Sequence, residues 1–405
     1  MSTKCLPLLF SLLLLVGCGP EPAPPVAAAP SATVSASETP AVVASETSAA
    51  LAAATRAAFT ATPKSSATPA STATPKKTAT PEATATPEGL SEAQLAELRP
   101  NEMGWIPVLE YHLFEGENGA YSRTPASFRA DLELLYAHNF YPIRFRDLAA
   151  GTIDIPVGKS PVVLTFDDSS DGQFRYLDEA TVDPNSAMGI LLAFSEEHPD
   201  FPPIATFFPL IEVDVPERIL FGQPEYAQRK LQEIVAWGGE VGSHTYSHER
   251  LDRAEPERIR WQLAFSSQEL EELIGDGYEI TSLSLPFGIY PGDESLIHSG
   301  EAEGVSYEFA AAAEVDGGNS VSPYSTEFDP YHIARIQVQP DRIERIFALF
   351  DQRPTLPYVS DGDATTITVP SEETLDVEQQ GVFNESRFEG MTIRRYDRAV
   401  SHKDD

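Results

Sequence analysis

Apolar residues recur with a regular period only beyond about residue 95, where short apolar runs begin to alternate with longer amphipathic ones. Trp105-Ile-Pro-Val-Leu-Glu-Tyr111 predicts a strand that ends at His112. Thr124-Pro125 offers an N-cap and a first-turn proline, after which Phe128, Leu132 and Leu135 fall on one helical face. Asn139 to Ile143 starts the return to a sheet. The short runs Pro161–Phe166, Ala205–Leu210, Glu240–Ser243 and Ile280–Leu285 predict buried strands. Tyr226–Trp237 reads as a helix, and Ile259, Leu263, Leu270 and Ile274 mark another. Strands that alternate with helices predict βαβ units and a parallel sheet, in which residues just past the strand ends converge on one mouth. Two later segments, Thr365–Val369 and Met391–Arg394, also alternate like strands but carry no evident chemistry.

The first 90 residues follow no such pattern. Lys4 precedes the apolar run Leu6–Val16, which is too short to cross a bilayer and reads as a secretory leader over residues 1–17. It ends in Leu15-Val16-Gly17-Cys18, which resembles the lipobox of bacterial lipoproteins; the resemblance implies cleavage before Cys18 and a lipid on that cysteine. Residues 18–92 are rich in Pro, Ala, Thr and Ser, and Ala-Thr-Pro recurs at 61, 67, 73, 79 and 85. Such a stretch cannot form a core and favours extended conformations. At about 3.1 Å per residue it reaches at most roughly 200 Å, enough to lift a domain off a membrane into a wall or capsule. The expected location is therefore outside the cell, anchored to the membrane's outer face.

With Cys5 in the leader and Cys18 carrying lipid, the remaining chain contains no cysteine, which excludes disulfides and thiolate metal sites there. Residues 93–350 fit one α/β barrel-sized domain, with 351–405 as a C-terminal extension. The charges of the leader and linker cancel, so the net charge of −34 belongs to these parts and disfavours nucleic acid as a partner.

Asp167 and Asp168 close one predicted strand, and two adjacent carboxylates repel unless a cation or a proton intervenes. His244 and His248 follow another strand at a spacing that brings two imidazoles to one ion when the turn between them is tight. Two imidazoles and a carboxylate, with positions left open for water, make a hydrolytic metal site. Either group alone is unspecific; both, past strand ends in one α/β domain, are far less so.

Those residues carry a resemblance. Leu164-Thr-Phe-Asp-Asp168, Ser243-His-Thr-Tyr-Ser-His248 and Leu285-Pro-Phe-Gly288 resemble, in order, three motifs of the polysaccharide deacetylases, the carbohydrate esterase family with a NodB-type domain. An upstream Pro107 to His112 segment matches one branch of that family. The resemblance implies a distorted (β/α) barrel and a divalent cation, Zn²⁺ or Co²⁺, on Asp168, His244 and His248. It further implies Asp167 as catalytic base and the Phe287 backbone N–H as oxyanion donor, in a loop shaped by Pro286 and Gly288. The implied substrate is an acetylated polysaccharide such as peptidoglycan or poly-N-acetylglucosamine. Three departures stand out. Ser169 replaces the usual glycine, Ser284 stands where an arginine often orients the base, and no Leu-x-His near residue 340 supplies an acid. His112 and His332 are the nearest substitutes for that acid, and Arg335 is a possible partner of a site carboxylate. Residues 172–203 are longer than the family norm and are expected to wall the cleft. The departures keep open a second reading, a carbohydrate-binding lipoprotein that retains the fold without turnover.

Overall fold

The computed structural model describes residues 89–371, 380–388 and 390–398. The expected leader, Cys18 and the Pro/Ala/Thr/Ser-rich stretch lie outside them. In chain order the elements are α1 (Glu92–Leu98), β1 (Val108–Tyr111), α2 (Pro125–Ala137), β2 (Phe140–Ile143), α3 (Phe145–Ala150), β3 (Ser160–Asp167), α4 (Ala187–Glu197) and β4 (Thr206–Phe208). They continue with α5 (Ala227–Ala236), β5 (Glu240–Val241), α6 (Pro256–Ile274), β6 (Ser282–Ser284), β7 (Ser299–Ala302), β8 (Val305–Glu308) and β9 (Ala311–Gly317). β10 (Ile333–Gln337), α7 (Arg342–Gln352), β11 (Thr366–Pro370) and β12 (Thr392–Tyr396) complete the set.

The main sheet runs β5-β4-β3-β1-β10-β9-β6, with β2 also paired to β3, and every pair in it is parallel. Its two ends meet. Ser243, just past β5, forms a parallel bridge with Leu283 of β6: its N–H donates to Ser282 O at 2.8 Å, and Ser284 N–H donates to Ser243 O at 2.9 Å. The sheet is thereby nearly closed into the (β/α) barrel that the alternating pattern predicts. Gly242 makes this seam possible, because a Cβ there would come within 2.5 Å of the Phe208 ring and 2.8 Å of Ser282 O.

Period-two alternation sorts each strand into an outer and an inner face. Leu109 and Tyr111 of β1, Val162, Leu164 and Phe166 of β3, Phe207 of β4 and Leu283 of β6 join the core beneath the helices. Each such buried side chain contributes about 1.5–3 kcal/mol relative to exposure. On the opposite face lie Glu110, Thr165, Asp167, Ser284 and Arg335, all buried. The barrel interior is thus polar at the level where the site forms.

Residues 172–203, expected as a cleft wall, include α4, the crossover helix between β3 and β4, and Gln173, which bonds His112 O and Asp167 O. Phe194 and Leu191 of α4 are fully buried, and Arg129 of α2 bonds Glu197. The C-terminal extension packs on the barrel as well. β11 and β12 pair in parallel, and Tyr358, Ile367 and Val369 share a buried cluster with Met103, Ile106 and Val108. Among the described residues no helix is long and apolar enough to cross a membrane.

Candidate active site

Asp167 is the last residue of β3 and Asp168 the first beyond it, with φ of +72°. Ser169 (φ +45°), Thr245 (+64°), His248 (+57°) and Phe287 (+61°) share this left-handed conformation, which costs non-glycine residues about 1 kcal/mol or more each. Five strained residues around one mouth indicate that the loops are held by their surroundings.

The turn that carries Thr245 and His248 is held by polar side chains, Gln262 and Ser266 from α6 and two of its own. The buried Gln262 accepts from the N–H groups of Tyr246 and Ser247, each at 2.9 Å, and donates to Ser247 Oγ at 2.6 Å. Ser266 Oγ lies 2.6 Å from Ser243 Oγ, which accepts from Thr245 N–H at 3.1 Å. Thr245 Oγ1 in turn accepts from His248 N–H at 3.1 Å. The turn is tight rather than helical, and it brings both imidazoles to Asp168. His244 Nε2 lies 3.4 Å and His248 Nε2 3.5 Å from Asp168 Oδ1.

Several features fit these three residues to a divalent cation. Their donor atoms lie within 4.8 Å of one another. Asp168 Oδ1, aimed at both imidazoles, is buried without a hydrogen-bond partner. His244 Nδ1 meets Ser284 O at 2.8 Å, so that nitrogen carries the proton and Nε2 presents its lone pair. Burial lowers the pKa of both imidazoles, and that of His248 is pushed down to about 3 with His244 and Arg218 adding to the effect. Neutral imidazoles are the form a metal requires.

Asp167 is held differently. Arg335, on β10 and fully buried, donates from Nη1 to Oδ1 at 2.9 Å and from Nη2 to Oδ2 at 2.8 Å. Ser284 Oγ adds a bond to Oδ2 at 2.8 Å and accepts from Arg335 Nη2 at 3.0 Å. Burial acts to raise the Asp167 pKa, but the charge and hydrogen bonds of the Arg335 guanidinium outweigh it and hold the carboxyl well below the usual range. The arginine absent from position 284 is therefore supplied from position 335, with Ser284 as its companion. Arg335, which the sequence left as a possible partner of a site carboxylate, is fully buried and bonds both oxygens of Asp167.

Arg335 also faces Glu110 Oε1 at 3.3 Å, and that carboxylate lies 3.5 Å from His112 Nε2. Glu110, His112 and Asp167 form a second cluster of potential ligands. It is a poor cation site, since a guanidinium already takes both oxygens of Asp167. Burial raises the Glu110 pKa and lowers that of His112. Gln173 braces this region by donating to His112 O at 2.7 Å and to Asp167 O at 2.5 Å. His332, the other acid candidate, pairs with Glu314 at 3.0 Å and Glu294 at 3.4 Å and stacks on Tyr290.

Pro286-Phe287-Gly288 follows β6 as expected. Gly288 has φ of +65°, and a Cβ there would lie 2.9 Å from Val315. The Phe287 side chain is 54% exposed, with its ring 4.5 Å from that of His248. The structure thus gathers Asp167, Asp168, His244, His248, His112 and the 286–288 loop. Sequence reasoning missed Glu110, Gln173, Gln262 and Ser284 as contributors. Gln262 left one trace, a polar residue beside Leu263 on the apolar face of a helix.

Residues 154–297 match the family model for polysaccharide deacetylase. The chain is also similar to a polysaccharide deacetylase from Bacillus cereus (18% identity over 60% of this chain and 68% of that one, TM-score 0.44). A deacetylase from Streptococcus pyogenes, PplD, solved with acetate, matches at 18% identity over 60% and 97% of the two chains (TM-score 0.43). IcaB from Ammonifex degensii matches at 18% identity over 60% and 96% (TM-score 0.42). No curated protein matches the chain. These values are too low for any relative's activity to transfer.

Proposed function

We propose, from the premise that this chain carries a polysaccharide deacetylase domain, that it is a metal-dependent hydrolase. It removes acetyl groups, chiefly the N-acetyl groups of N-acetylglucosamine residues, from a cell-wall or extracellular polysaccharide. The observation that carries this reading is the contrast between two neighbouring acids. Asp167 has both oxygens saturated by Arg335 and Ser284, while Asp168 turns an unpartnered oxygen toward two neutral imidazoles.

Asp168, His244 and His248 would hold the cation, with Zn²⁺ or Co²⁺ suited to such a donor set. When bound, such a cation supplies Lewis acidity, polarising an acetyl carbonyl and acidifying water enough for a base as weak as Asp167 to deprotonate it. Arg335 keeps Asp167 ionised, so its carboxylate is always in the form that accepts a proton. The proton taken up by Asp167 would pass to the departing sugar amine or hydroxyl by way of the neighbouring His112, whose ring Glu110 orients from the Nε2 side. The 286–288 turn would present the Phe287 N–H to the developing oxyanion.

The leader and the Cys18 motif support an envelope lipoprotein held by a lipid anchor, with the repeat-bearing stretch as spacer. The alternative of a binding module rested on a missing arginine and a missing acid; Arg335 and His112 weaken it. Asp167→Asn separates the two. As an enzyme the variant keeps its metal and loses about 10²–10⁴-fold in acetate release; glycan binding unaccompanied by acetate release in the unsubstituted protein would favour the module.

A further inference from the structure

The two oxygens of Asp168 do different things. Oδ1 faces the imidazoles without a hydrogen-bond partner, while Oδ2 meets the guanidinium of Arg218, a residue outside every motif described above. Arg218 sits on the loop between β4 and α5, and that loop is tied to the residue after Asp168. Ser169 Oγ donates to Arg218 O at 2.7 Å and accepts from Leu210 N–H at 3.0 Å, and Ser169 O accepts from Phe221 N–H at 3.0 Å. Asp171 N–H donates to Glu217 O at 3.0 Å on the other side. The loop is thus pinned before, at and after Arg218. Ser169 has φ of +45°, where glycine would be unstrained, so its hydroxyl contacts are what the side chain adds.

We propose that Arg218, clamped by Ser169, is a positioning residue. It holds the second oxygen of Asp168 so that the first alone is offered between His244 and His248. The inference rests on the reading of those three residues as a metal site. A carboxylate with one oxygen unpartnered is free to swing about its side-chain torsions, and a swing takes Oδ1 away from both imidazoles. Arg218 opposes this from the far side, as the outer hydrogen-bond partners of metal ligands generally do. The opposing expectation is purely electrostatic: a guanidinium beside the site repels a divalent cation, so its removal would tighten binding. The two differ in sign.

The test is Zn²⁺ affinity of the full chain, measured by competition with a chromophoric chelator, together with the melting curve of the metal-free protein. Positioning predicts that Arg218→Ala weakens Zn²⁺ binding about 10–100-fold, and that Arg218→Lys recovers part of the loss because it restores charge without the planar fork. Ser169→Ala, which removes only the clamp's hydroxyl, weakens binding in the same direction but less. The double variant loses no more than Arg218→Ala alone, because both act through one contact. Unchanged or tighter binding in Arg218→Ala overturns the proposal. If that variant does not melt cooperatively, unchanged affinity in Ser169→Ala overturns it instead. Failure of the unsubstituted protein to bind Zn²⁺ overturns the metal-site reading itself, a result distinct from failure of the clamp alone.

Discussion

Arg335 is the residue on which the site's electrostatics turn. It is fully buried between Asp167 and Glu110 and bonds the first through both oxygens. Replacement by Met strands two buried carboxylates, so Arg335→Met should lower stability by about 3–5 kcal/mol in denaturant titration; a loss below about 1 kcal/mol would show that the acids find other partners. Lys230 gives a pH signature independent of the site. It is fully buried, donates to Phe221 O at 3.0 Å, and burial lowers its pKa to about 7, against the opposing fields of Glu225 and Asp171. With the folded value depressed, the unfolded chain binds more protons between about pH 7 and 10.5, so stability rises with pH across that window and falls as pH drops through it. Lys230→Met should flatten this rise; a slope unchanged by the substitution would remove Lys230 as its source.

At the scale of elements, the seam between β5 and β6 carries the barrel's closure. Gly242→Ala would press a methyl into the Phe208 ring and Ser282 O. The expected cost is about 1–3 kcal/mol, together with weakened metal retention because His244 lies two residues on; wild-type melting would mean the seam has slack. The strands were readable from the sequence because parallel barrel strands are short apolar runs, and because acids and histidines immediately after them break that pattern. Asp167, Asp168, His244 and His248 stood out for this reason. Arg335 was legible only as a possible partner of some site carboxylate, and Ser284 not as a partner at all, because 168 and 117 positions separate them from Asp167. A strand arginine looks the same in sequence whether its alternate face is solvent or the inside of a barrel. Residues 172–203 were likewise legible only as extra length, which does not separate a cleft wall from a crossover helix.

For the whole molecule, the buried cluster of Met103, Ile106, Val108, Tyr358, Ile367 and Val369 joins the two ends of the described chain. A chain ending at residue 350 loses Tyr358, Ile367, Val369 and Phe383 from this cluster, and it should fail to melt cooperatively; a cooperative melt matching the full chain would make the extension dispensable. Acetate release by the full chain from N-acetylglucosamine oligomers tests the proposed chemistry most directly. The same sample is assayed as purified, after chelation, and after return of Zn²⁺ or Co²⁺. Release that stops with the chelator and recovers with the metal is the predicted result. Release that continues through complete metal removal, or its absence on every acetylated glycan despite one bound metal, would contradict the account.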